Sequence, residues 1–74
     1  MHISALYLVC NPDLQNQVRE QITQLAWAEP QLEESSKFIL TLEAADEKDA
    51  EQKVRHLEGM HGVILAQVTG FYSN

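Results

Sequence analysis

Nine consecutive residues at the head of the chain, Met1-His2-Ile3-Ser4-Ala5-Leu6-Tyr7-Leu8-Val9, read as a strand that is apolar on both faces. Side chains alternate along a strand with a period of two, so Ile3, Ala5, Tyr7 and Val9 point one way and Ser4, Leu6, Leu8 and Cys10 the other. A chain of 74 residues has few elements with which to cover both sides of such a strand. One face belongs to a core, and the other calls for a cover supplied by a partner.

The length fits one domain, residues 1–74, with a single modest core. Apolar residues at 45% and charged ones at 22% are globular proportions, which argues against disorder. Eleven acids against five bases give a net charge of -6. That balance disfavours nucleic acid, whose binding rests on lysine and arginine neutralising phosphates, and favours cationic ligands or peptides. The first residues lack the basic segment of a secretory signal, and the apolar run stops at Asn11-Pro12. No run approaches the ~18 apolar residues of a membrane span, so no membrane insertion is expected. Lone Cys10 has no internal disulfide partner and suits a reducing compartment; the expected location is the cytoplasm.

Further along, Asn11 is a natural N-cap, with Pro12 at the first helical position and Asp13 at the positive end of the dipole. Leu14, Val18, Ile22 and Leu25 then recur at helical spacing, which predicts a helix ending near Trp27-Ala28, since Pro30 disfavours helical geometry at Glu29. Gln31-Leu32-Glu33-Glu34 reads as a polar edge strand and Ser35-Ser36-Lys37 as a turn without glycine. Lys37-Phe38-Ile39-Leu40-Thr41-Leu42-Glu43-Ala44 has clear strand chemistry, with Phe38, Leu40, Leu42 and Ala44 on one face and Ile39, Thr41 and Glu43 on the other. Asp46 opens a second helix, stabilised by Glu47 and Asp49 early and Lys53, Arg55 and His56 late. Its buried stripe is Ala50, Val54 and Leu57, and Gly59 is its expected cap. Val63 to Thr69 reads as a last strand, with Ile64, Ala66 and Val68 directed to the core and a bulge near Gly70.

Strand, helix, strand, strand, helix, strand is the order of an α+β, ferredoxin-like split βαβ (βαββαβ) domain. In that arrangement two helices cover one face of a four-stranded antiparallel sheet, and the first and third strands lie at its centre. The open face then carries Ile3, Ala5, Tyr7 and Val9 beside Ile39, Thr41 and Glu43, flanked by Leu65, Gln67 and Phe71. Tyr7 has two registers: exposed on the open face if Leu6 and Leu8 meet the helices, core if the register is reversed. The more uniformly apolar set Leu6, Leu8 and Cys10 favours exposure, which makes Tyr7 a contact anchor.

Catalytic chemistry finds little support, and no enzyme is expected. His2 and Cys10 share a strand face but stand eight residues apart, roughly 26 Å at about 3.3 Å per residue. His56 and His61 do not share a helix face in the manner of zinc motifs, no CxxC is present, and no metal is expected. Gly59, Gly62 and Gly70 are too scattered for a phosphate loop, and no cofactor is expected. Adjacent Glu33 and Glu34 point to opposite sides of a strand and read as a solvated edge rather than an acid–base pair. Trp27 reads as a packing residue closing the first helix.

The opening Met1-His2-Ile3-Ser4-Ala5-Leu6, the central run from Lys37 to Ala44 and the closing Glu58-Gly59-Met60-His61-Gly62-Val63-Ile64 resemble the NapD family, in matching order over nearly the whole chain. The family comprises small cytoplasmic chaperones of periplasmic nitrate reductase maturation. The resemblance implies a ferredoxin-like fold and binding of the twin-arginine signal peptide of the nitrate reductase catalytic subunit, delaying export until the cofactor is inserted. The signal-peptide site it implies here is the open face, Ile3, Ala5, Tyr7, Val9, Ile39, Thr41 and Glu43, with Glu43 the first carboxylate for an arginine and Glu33 or Glu34 the next. A monomer is expected. The chain departs from the family pattern at Trp27-Ala28-Glu29-Pro30, where members often carry a small or glycine-containing turn. The alternative is an ACT-like regulatory domain that binds a small ligand between associated copies. An acylphosphatase-like enzyme would need an arginine on a phosphate-cradling loop, and an RNA-recognition domain would need basic surroundings that this acidic chain lacks.

Overall fold

A computed structural model describes residues 1–73. Strand β1 (His2–Cys10) leads through a 3-10 turn (Pro12–Leu14) to helix α1 (Gln15–Thr23). Strands β2 (Ala28–Glu34) and β3 (Lys37–Ala44), helix α2 (Glu47–Glu58) and strand β4 (Val63–Ser73) follow. The sheet has the order β2-β3-β1-β4 with every neighbouring pair antiparallel, which is the ferredoxin-like arrangement. Leu6, Leu8 and Cys10 of β1 and Phe38, Leu40 and Leu42 of β3 pack against Val18 and Ile22 of α1 and Ala50 and Leu57 of α2. Both helices thus close one face of the sheet.

Burial along β1 alternates without a break, every even-numbered residue from His2 to Cys10 being buried and every odd one half-buried. The exposed register for Tyr7 holds.

Three boundaries differ from the sequence expectation. Helix α1 stops at Thr23, so Leu25 and Trp27 pack against the core from the loop rather than from the helix. Strand β2 starts at Ala28 rather than Gln31. Pro30 requires extended geometry in Glu29, and on an edge strand its missing N–H costs nothing, so the proline that ends the helix lies inside the strand.

Strand β4 runs to Ser73 and shifts register twice. Cys10 pairs with Val63 and Val9 with Leu65, leaving Ile64 as an extra residue; Leu6 pairs with Val68 and Ala5 with Gly70, leaving Thr69 extra. The second shift is the irregularity expected near Gly70, and the Thr69 hydroxyl donates to the Ala5 carbonyl at 3.1 Å. The first shift overturns the expectation for Ile64, which is 64% exposed, while Val63 takes the place against the core. Ala66 is partly buried on the helix side, and Val68 shares that side but stays 38% exposed.

Local caps follow the sequence. Asn11 accepts from the Asp13 N–H and Asp46 from the Asp49 N–H, while the Asp49 carboxylate accepts from the Ala45 N–H at 2.9 Å. With Lys53 at 3.0 Å, that backbone bond holds the Asp49 carboxyl below its usual range. Gly59 caps α2 with an ordinary φ of -86°. The demanding glycine is Gly62: its φ is +94°, and a Cβ there would stand 2.9 Å from Val18 Cγ2 and 3.1 Å from Leu14 Cβ.

The glycine-free turn between β2 and β3 puts Ser36 at a φ of 63°. Long-range bonds hold it. Gln15 of α1 accepts from the Ser36 N–H and donates to the Glu34 carbonyl, both at 2.8 Å, and the Cys10 N–H donates to the Ser36 carbonyl at 2.9 Å.

Candidate functional site

The register of the sheet assembles the open face row by row. Ile3 stands opposite Glu43, Ala5 opposite Thr41, Tyr7 opposite Ile39 and Val9 opposite Lys37. All seven residues assigned to the face from sequence therefore lie on one side of two adjacent central strands. Six are half-buried by their neighbours, and Glu43 at the end of the row is exposed. The outer strands extend the surface. On β4, Leu65, Gln67, Gly70 and Tyr72 pair with Val9, Tyr7, Ala5 and Ile3; on β2, Glu29 and Leu32 pair with Thr41 and Ile39. Leu32, Leu65 and Tyr72 are 53%, 39% and 63% exposed, so apolar surface spans the full width of the sheet.

Charge is graded along this surface. At one end Glu43 and Glu29 flank Thr41, diagonal neighbours on adjacent strands and so about 7–8 Å apart along the backbone. Gln31, the extra residue where β2 and β3 shift register, donates to the Thr41 hydroxyl at 3.1 Å. At the other end Lys37 lies over the Tyr7 ring, its ammonium 4.8 Å from the centroid, and pairs in register with Glu34. The apolar strip thus ends in two carboxylates on one side and in the oppositely charged Lys37 and Glu34 on the other.

Two expectations change here. Phe71 is not on the open face: beyond the extra residue Thr69 it pairs with Ser4 on the helix side and stacks on buried His2 at 5.3 Å, and Tyr72 occupies the open-face position instead. Glu33 also faces the helices, opposite Phe38. Arg19 of α1 pairs with it through two nitrogens, Nε at 2.7 Å, and Gln15 adds a bond at 2.8 Å. The Arg19 bonds chiefly, with Gln15, pull its pKa from 4.5 to about 2. That carboxylate is engaged in holding α1 to the edge strand, which leaves Glu34 of the pair on the open side. Glu29 was missed because the expected helix ends near Trp27-Ala28 and the expected strand begins only at Gln31, which leaves Glu29 between them, whereas β2 starts at Ala28. The signal that finds it is Pro30, which marks an edge strand as readily as a helix stop.

The groups with catalytic potential stay apart. His2 and Cys10 sit at opposite ends of β1, and burial, with a smaller contribution from Glu33, pushes the Cys10 thiol up. His56 stands edge-on to Trp27 at 5.6 Å, which pins that indole against α2. Among the described residues no group of three or more histidines, cysteines or carboxylates is placed to hold a metal ion, and no helix is long and apolar enough to cross a membrane.

The chain is thus a split βαβ domain with both helices on one face of the sheet and apolar and acidic side chains on the other. The model of the NapD protein family matches residues 1–73, and the chain belongs to that family. Its fold is similar to the solution structure of the E. coli Tat proofreading chaperone protein NapD, with a TM-score of 0.84 at 15% identity, over 97% of this chain and 78% of that one. No curated protein matches the sequence.

Proposed function

We propose that the chain is a non-catalytic chaperone that binds the twin-arginine signal peptide of a periplasmic nitrate reductase catalytic subunit on its open sheet face. It acts in the cytoplasm as a monomer and withholds the enzyme from export until its cofactor is in place. The observation that carries this reading is the apolar strip Ile3, Ala5, Tyr7, Val9 and Ile39 ending in the carboxylates Glu43 and Glu29. Family membership supplies the class of ligand.

A twin-arginine signal has two adjacent cations followed by an apolar stretch, and the face has matching parts in the same sequence. The arginines meet Glu43 and Glu29 in charge-assisted bonds, which are bidentate where the guanidinium fork lies flat on a carboxylate. Thr41 stands between the two acids as a further hydrogen-bonding group. The apolar stretch covers Ala5, Tyr7 and Ile39, each fully buried side chain contributing ~1.5–3 kcal/mol. Ordering the peptide costs several kcal/mol, so the complex is of moderate affinity and releases its client.

Calorimetric titration with the signal peptide of the nitrate reductase from the same organism tests this. One-to-one binding, weakened about tenfold or more by Tyr7→Ala or Glu43→Gln and by changing both arginines to lysine, supports it. Absence of heat with the intact peptide at high micromolar concentration refutes it.

A further inference from the structure

The two edges of the sheet are built differently. Edge strand β2 carries the usual protections against pairing with another chain: Pro30, a register break at Gln31, and the acids Glu29, Glu33 and Glu34. Edge strand β4 has the sequence VILAQVTGFYS, with no proline and no charge. Its register shifts at Ile64 and Thr69 bound a regular run, Leu65 to Val68, whose outer side has no partner strand among the described residues.

On the helix side of that edge lies a groove of about 340 Å³ between β4 and α2. Its floor is buried His2, Ser4 and Ala50, half-buried Val54 and the exposed Val68 and Phe71. Along the outer wall α2 presents Glu47, Glu51 and Glu58 against a single cation, Arg55. This surface is on the opposite side of the sheet from the strip that ends in Glu43.

We infer that the β4 edge and the α2 groove form a second docking surface, which takes an extended, cationic polypeptide segment as a fifth strand. Pairing to β4 satisfies the edge amides and carbonyls, and the alternation of the added strand sends every second side chain toward the groove. Small apolar side chains there cover Val68 and Phe71, and lysines or arginines reach the three glutamates. A second copy of this chain is the poorer occupant. Antiparallel pairing of two β4 edges sets the two α2 helices side by side on one face, bringing three glutamates and one arginine up against the same set.

The test is an NMR titration of the ¹⁵N-labelled chain with a capped nine-residue peptide whose odd positions alternate valine and lysine, so that both face the groove, and whose even positions are serine. Expected shifts run along residues 64–72 and the β4-facing side of α2. Replacing Glu47, Glu51 and Glu58 together by glutamine weakens binding about tenfold, the sum expected of three exposed ion pairs. The same peptide N-methylated at two adjacent central residues, which removes a donor from each of its edges, loses binding. A lysine-to-glutamate peptide does not bind. Shifts centred on Tyr7 and Ile39, equal binding by the N-methylated peptide, or no response at millimolar peptide each overturn the inference. So does a concentration-dependent dimer that Val68→Lys dissociates, because the edge is then occupied by a second copy.

Discussion

The two faces of β1 carry similar apolar content and have opposite fates. Leu6, Leu8 and Cys10 are at most 1% exposed beneath the helices, whereas Ile3, Ala5, Tyr7 and Val9, one residue out of phase on the same strand, remain half-buried with no layer above them. What differs is the cover and not the strand. Two helices are enough for one side of a four-stranded sheet, and sequence alternation decides which set they take. The covered face reports on folding, and the uncovered one is free to serve a ligand.

Substitutions separate the two roles. The largest stability loss is expected from Leu8→Ala, about 2–5 kcal/mol in urea denaturation, because it opens a cavity in a packed core. Tyr7→Ala, on the neighbouring residue, loses less than half as much stability while weakening signal-peptide binding; equal losses at both positions would dissolve the distinction between the faces. Glycines give a second contrast. Gly62→Ala meets Val18 and Leu14 at a positive φ and costs about 1–3 kcal/mol, whereas Gly70→Ala, with nothing within 4 Å of the added carbon, stays within about 0.5 kcal/mol. Asp46→Ala removes the α2 cap at a cost of about 1 kcal/mol and leaves the open face untouched.

The smallest effect concerns the Arg19–Glu33 pair. Its side chains are 42% and 29% exposed, so solvent screens the pair and keeps its contribution small. The folded-state pKa of Glu33 is depressed, so the contribution is present in full above 4.5 and is lost as pH falls toward 2. Glu33→Gln removes that part of the acid dependence, and stability curves of the two proteins converge at the lowest pH.

Much of this architecture was legible from alternation alone. Phe38, Leu40, Leu42 and Ala44 against Ile39, Thr41 and Glu43, like the two faces of β1, sort cleanly because a strand has only two sides. The seven residues assigned to the open face from sequence all lie there. The edges were not legible. A register shift changes the facing of every residue beyond it, and nothing at Ile64 or Thr69 announces an extra residue, so Ile64 turned outward and Phe71 crossed to the helix side. Pro30 excludes a helix without saying how soon the strand begins, and Glu29 was hidden by that ambiguity. Glu33 and Glu34 divide as alternation requires, but only the tertiary position of Arg19 determines that Glu33 is engaged.

The most direct test of the open-face account maps the backbone amide shifts of the labelled chain on adding the twin-arginine signal peptide. The largest changes are expected at Ala5, Tyr7, Ile39, Thr41 and Glu43, with those at Glu43 and Thr41 suppressed when the two arginines of the peptide are replaced. Changes confined to the exposed sides of α1 and α2, with the central strands unmoved, would contradict it.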